Sequence, residues 1–193
     1  MIKLSSLGDL FHALPAVHGL KTGLDAVVDW VVDSRLAPVV ECFPDVERVI
    51  AFPRHGIRRR ARPFLDALRA ERYDLVLDFQ GLLKSALVAR LARGRRRIGP
   101  SFHREGSRLF YPEVAGPRNK ERHAVEENLD ILRFLGLPIG EPRFPLAFPA
   151  AAPETATASD SFCIAISCLM PRVANVNSLS SSSREYVASS PVP

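Results

Sequence analysis

Apolar positions over the first 137 residues switch repeatedly between a strand period and a helix period. "MIKLS" at the start reads as a short buried strand. From Asp9 to about Lys21, Leu10, Leu14, Val17 and Leu20 recur at helical spacing. Residues 26–32, "AVVDWVV", are β-branched and aromatic and predict a strand. "RLAPVVECF" reads as a short helix or turn, and residues 48–52 as another strand. Residues 63–73 show a helical pattern, 73–79 a strand, and 81–92 a helix. "RRIGP" ends a further short strand, and 123–137 predict a helix stopped by Gly136 and Pro138. Strand and helix in alternation imply an α/β layer, a parallel sheet with helices on both faces. Right-handed crossovers make it a Rossmann-like, doubly wound parallel sheet.

The pattern divides the chain into three parts. Residues 1–137 form the Rossmann-like domain. Residues 138–160 are rich in proline and alanine and read as a linker. In residues 161–193, "FCIAIS" reads as the start of a new strand, and an irregular serine-rich tail follows. Between Ser161 and Pro193 only Arg172, Arg184 and Glu185 are charged, so the tail is expected to be disordered.

Composition narrows the class. Hydrophobic residues make up 47% and charged residues 24%, as in ordinary globular chains. No apolar run approaches the roughly 18 to 20 residues that span a bilayer. The start lacks a basic segment followed by an apolar one, so a cytoplasmic protein is expected. Cys42, Cys163 and Cys168 fit neither a disulfide framework nor a zinc pattern. The net charge of +5 is concentrated in "IRRRAR" (57–62) and "RGRRR" (93–97). Such runs suit an anionic partner, or simply a solvated face.

Two loops carry candidate chemistry, because ligands of such sheets bind outside the carboxyl ends of the strands. The first is "SSLGD". Gly8 removes a side chain where backbone turns or a ligand approaches. Asp9 sits at the helix start, either as an N-cap or as a general base. A helix N-terminus favours negative charge and so weakens a base, which good positioning of a hydroxyl would have to offset. The second is "DFQGLLKSA", in which Gln80 and Gly81 end a strand while Lys84 and Ser85 open a helix. Helix N–H groups beside a lysine make an anion site; a solvated surface lysine is the plainer reading.

Several motifs are missing. The sequence holds no G-x-G-x-x-G, no G-x-x-x-x-G-K-[ST] and no G-x-S-x-G. Its histidines show no metal-ligand pairing, and no RNA-binding aromatic motif supports the basic runs as a nucleic-acid surface.

Taken in order, "KLSSLGDLFHALPAV", "DWVVD", "YDLVLDFQGLLKSALVARLARG" and "HAVEENLDIL" closely resemble the amino-terminal half of the lipopolysaccharide heptosyltransferases of glycosyltransferase family 9. The resemblance covers about residues 1–148. It implies a GT-B architecture with the acceptor, Kdo-bearing lipid A, on the amino-terminal domain and ADP-heptose on the carboxy-terminal one. It implies inverting transfer with no cofactor and no metal. Asp9 matches the family's proposed catalytic base. Lys84 and Ser85 match the acceptor-side loop, with Ser6, Gly8, Gln80 and Gly81 shaping the site, and His123 matches a histidine of the "HAVE" segment. Kdo carboxylates and lipid A phosphates give Lys84, Arg58, Arg59, Arg60 and Arg104 an anionic target. A lipid acceptor further implies peripheral contact with the anionic cytoplasmic face of the inner membrane.

The sequence departs from the family in two places. Only Met1 and Ile2 precede Lys3, where the family has a longer apolar strand. Beyond "FCIAIS" no donor domain is recognisable, so a truncated or frameshifted chain, inactive alone, is expected. From another class stands a non-catalytic basic module that binds anionic lipid or nucleic acid.

Overall fold

The computed structural model of the chain describes residues 1–119 and 121–147. Helix α1 (Leu7–Leu24) is followed by strand β1 (Asp29–Asp33), α2 (Ala37–Val40) and β2 (Arg48–Phe52). Then come α3 (Ile57–Leu68), β3 (Tyr73–Leu77), α4 (Leu83–Leu91) and β4 (Gly94–Pro100), a 3-10 turn (Ser107–Phe110), β5 (Glu113–Ala115) and α5 (Ala124–Phe134). The expectations for residues 148–193, including the later linker, the new strand and the disordered tail, lie outside the described residues.

The opening residues join two ladders into one sheet. β1 pairs with β2, and β4 lies between β3 and β5, all in parallel. Ile2 bridges to Val31 on one side and to Asp78 on the other. Its N–H donates to Leu77 O at 2.8 Å, and the Lys3 N–H donates to Val31 O at 3.1 Å. Counting residues 1–4 as the first strand, the order across the sheet is 3-2-1-4-5-6, that of a doubly wound dinucleotide-type layer. The order reverses between residues 1–4 and β3. The crevice of such a sheet opens there, between the loops that leave these two strands.

Alternation along the strands fills both faces. Val31, Ile2, Leu4 and Val76 pack with Phe64 and Leu68 of α3 and with Ala86, Val88 and Ala89 of α4. Trp30 points to the other face, fully buried beside Phe43, with its ring N–H donating to Lys3 O at 3.0 Å. On that side α1 packs against α5. Asn128 of α5 donates to His12 O at 2.9 Å, and Gly19 leaves room for Leu132, whose Cδ1 an added Cβ would strike.

Three sequence expectations shift. Helix α1 begins at Leu7 rather than Asp9, because Ser6 supplies its cap. Helix α3 begins at Ile57 rather than Pro63. Its first turn is the arginine run, and Pro63 is tolerated inside it. β5 was not expected, since three residues give no period to read. Residues 138–147 carry no regular element, and the Ala147 N–H returns to Cys42 O at 2.9 Å. No helix among the described residues is long and apolar enough to cross a membrane.

Candidate active site at the sheet switch point

The loop after residues 1–4 becomes the first turn of α1. Ser6 is the N-cap and Asp9 occupies the third helical position. Asp9 Oδ2 accepts the Ser6 N–H at 2.9 Å and the Ser6 hydroxyl at 3.1 Å. Asp9 is therefore the reaching-back member of a capping box, not the cap itself. Both bonds fall on Oδ2; Oδ1 makes none among the described residues. Gly8 lies within the helix without a left-handed φ, and a Cβ there would meet nothing within 4 Å. Its place is thus not a turn. The open space beside it leaves the helix start approachable.

The loop after β3 is tied to this turn. Gln80 Oε1 accepts the N–H of Leu4 at 3.0 Å and of Ser5 at 3.1 Å. Gly81 has φ +70, and a Cβ there would lie 3.0 Å from Pro100 Cγ and 3.3 Å from His103 Cα. Its carbonyl accepts the Arg104 N–H at 2.7 Å and the Ser107 hydroxyl at 2.8 Å. The β3–α4 loop thereby positions the loop that carries Arg104. Beneath it Asp78 is fully buried. It accepts the Gln80 N–H at 2.7 Å, the Gly81 N–H at 3.2 Å and the Tyr111 hydroxyl. Burial pushes the Asp78 carboxyl above the usual carboxylate range, against these hydrogen bonds.

The remaining predicted residues divide. Ser85 is buried, and its hydroxyl is used to close α4, donating to Leu82 O at 2.9 Å and accepting the Leu82 N–H at 3.1 Å. That hydroxyl is thus engaged at the start of its own helix. Lys84 is exposed with Nζ 5.7 Å from the Phe52 ring centroid. Arg58, Arg59 and Arg60 are exposed on the first turn of α3, at the carboxyl end of β2. His123 caps α5, its Nδ1 accepting the Val125 N–H at 3.3 Å, and its ring meets His12 edge-on at 5.4 Å. The second arginine run is largely engaged: Arg95 pairs with Asp74 at 3.6 Å and Arg96 with Glu113 at 2.6 Å.

Sequence reasoning missed Lys3. It is 6% exposed, donates from Nζ to Phe79 O at 2.6 Å and lies 5.8 Å from the Phe102 ring centroid. Burial lowers its ammonium from the usual lysine value, while Asp9, Asp78 and Glu127 act to raise it. The available signal was a lysine inside an otherwise apolar strand, since a buried charge persists only where partners hold it. His12, one turn after Asp9, was also missed as a site residue. Burial holds its imidazole below the usual histidine value, and its Nδ1 has no hydrogen-bond partner among the described residues.

A cleft of about 440 Å³ opens beside these loops, lined by Ser101, Phe102, His103, Arg104, Arg118, Asn119, Arg122, Ala124 and Glu127. Arg122 is anchored on buried Asp130, 2.5 Å away. Burial pushes Glu127 above its usual value, against the pull of Arg122, Lys3 and Arg104. Three guanidinium groups and a histidine in one cleft suit a multiply anionic ligand. Among the described residues no group of three or more His, Cys, Asp or Glu is arranged to hold a metal.

Comparison with known proteins agrees with this layout. The profile described as glycosyltransferase family 9 (heptosyltransferase) matches residues 61–187, which extends past about residue 148, where the resemblance read from the sequence ends. Lipopolysaccharide heptosyltransferase 1 of Escherichia coli K12 is 34% identical over 143 residues, covering 68% of this chain and 45% of that protein. The Pseudomonas aeruginosa protein of the same name is 37% identical over 147 residues, covering 65% of this chain and 39% of its own. The solved structure of E. coli heptosyltransferase WaaC with ADP superposes with a TM-score of 0.65 at 32% identity, over 74% of this chain and 49% of that one. The same enzyme solved with ADP-2-deoxy-2-fluoro heptose gives the same TM-score. The chain spans about half the length of the relatives it matches or less. With a family profile over most of its length and the fold of a GT-B heptosyltransferase half, the chain belongs to glycosyltransferase family 9, the heptosyltransferases.

Proposed function

We propose that this chain is the acceptor-binding layer of a lipopolysaccharide heptosyltransferase, the enzyme that transfers L-glycero-D-manno-heptose from ADP-heptose to Kdo of the lipid A core with inversion. One observation carries the reading: Asp9 is fixed by Ser6 at the sheet's switch point, and buried Lys3 interacts both with it and with Glu127 of the cleft that presents Arg104, Arg118 and Arg122. In this reading the cleft holds the carboxylates and phosphates of the acceptor. Asp9 Oδ1 takes the proton of the attacking Kdo hydroxyl as its oxygen bonds to the anomeric carbon and ADP leaves. Holding the hydroxyl against a fixed carboxylate supplies by positioning what a weak base lacks. Turnover further needs a donor site for ADP-heptose, and we assign that to a second domain. Relatives named lipopolysaccharide heptosyltransferase 1, and a structure of one with an ADP-heptose analogue, support both substrates. We further place the chain in the cytoplasm, in peripheral contact with the inner membrane that carries the acceptor.

The test compares binding of Kdo–lipid A and of DNA at equal salt. The reading predicts marked preference for the Kdo acceptor, lost on Arg104→Ala. Equal affinity for both, falling steeply with salt, is the signature of a generic polyanion binder and would overturn it.

A further inference from the structure

Helix α4 has the sequence LKSALVARL. Ser85, Ala86, Val88 and Ala89 face inward. Leu83, Leu87 and Leu91, at successive i+4 positions, form a stripe on the opposite side, with Leu87 43% exposed. Leu109 lies on the 3-10 turn that packs against α4 and is 88% exposed. These are four of the eight exposed large apolar side chains among the described residues, so the exposure is a patch and not scatter. Lys84 and Arg90 flank the stripe, and α4 carries no acid. The patch also adjoins the crevice, since the Leu83 N–H donates to Glu105 Oε2 at 3.2 Å, next to Arg104.

We propose that the leucine stripe of α4, with Leu109, is the surface that docks this chain on an anionic lipid bilayer, an inference that rests on the lipid-borne acceptor proposed above. A convex row of leucines between cations suits the boundary of headgroups and acyl chains. Protein partners more often present aromatic anchors to a pocket, and the stripe has neither. The position is equally telling. An acceptor anchored in a membrane reaches the crevice only if the crevice opens close to the lipid surface, and α4 leaves directly from the crevice loop. The run 93–97 is a poorer candidate, because Arg95 and Arg96 already hold Asp74 and Glu113.

The experiment floats the 193-residue chain with vesicles of phosphatidylcholine alone or with about one third phosphatidylglycerol. Binding is expected only to the anionic vesicles and weakens as salt rises. Leu87→Ser combined with Leu91→Ser lowers the partition coefficient about tenfold, with an unchanged far-UV spectrum. Arg90→Gln lowers it about fivefold. A double variant that floats like the wild type, or wild-type binding indifferent to phosphatidylglycerol, overturns the surface. So does a double variant that floats normally but loses self-association, which would assign the stripe to a second copy. A de-acylated Kdo saccharide separates the two claims. Preference for it without flotation rejects the surface and keeps the acceptor reading. Leucine-dependent flotation without that preference keeps the surface and rejects the reading.

Discussion

The side-chain carbonyl of Gln80 accepts the backbone N–H of Ser5 at 3.1 Å, and that of Leu4 at 3.0 Å. One side chain thus joins the loop that carries Asp9 to the loop that leads into α4. Gln80→Ala leaves two backbone donors without this partner. It is expected to cost about 1–3 kcal/mol in urea unfolding, with acceptor binding weakened as well. Unchanged stability would mean that the two loops are held by other contacts.

Gly81 tests the same junction from the backbone. Its left-handed φ and the closeness of Pro100 and His103 leave no comfortable place for a methyl group. Gly81→Ala should destabilise by about 1–2 kcal/mol and shift the resonances of the Arg104 loop. Gly8→Ala, with open space around its Cβ, should leave the fold intact and affect only ligand binding.

Lys3→Met keeps the apolar stem and removes the buried ammonium. Removal of a desolvated charge offsets loss of the Phe79 contact, so the thermal midpoint should move by no more than about 2–4 °C. Affinity for the Kdo acceptor should fall about tenfold, as expected for loss of a cation between Asp9, Asp78 and Glu127. Unaltered affinity would confine Lys3 to a structural role.

Tyr73 gives a pH test away from the crevice. Its hydroxyl donates to Asp29 Oδ2 at 2.9 Å at the amino end of β3, and burial with that hydrogen bond pushes its pKa from 10.0 up to about 12. Below pH 10 the proton is on in both the folded and the unfolded state, and the stabilisation is complete. Between pH 10 and about 12 only the unfolded chain releases it, so stability falls as pH rises. Tyr73→Phe should lose about 1–2 kcal/mol at neutral pH, through loss of the hydrogen bond to the Asp29 carboxylate, and flatten the alkaline limb. Chemical unfolding across that range measures both.

The sheet was legible because its strands are short apolar runs between helical periods: 48–52 stands where it was expected, and the strand expected over 73–79 forms over 73–77. The central place of residues 1–4 was not, since pairing to β1 and β3 is a long-range relation that no local period records. Asp9 was legible as a residue at a helix start. Its partner Ser6 decides whether it caps or reaches back, and two adjacent serines leave that open. The cleft was the least legible part. Arg118 and Arg122 are separated from Arg104 in sequence, and Arg122 is held there by Asp130 from the middle of α5. Pro63 misled in the opposite direction, drawing the expected start of α3 past the arginines that form its first turn.

The role proposed for Asp9 is to remove the proton from the acceptor hydroxyl. Its most direct test is heptose transfer from ADP-heptose to Kdo–lipid A with Asp9→Asn, in this chain extended by a family donor domain. Turnover is expected to fall by about 100-fold or more while acceptor binding is retained, because asparagine keeps the bonds from Ser6 and loses only the base. Turnover near that of the parent would remove Asp9 as the base and leave it a member of the capping box alone.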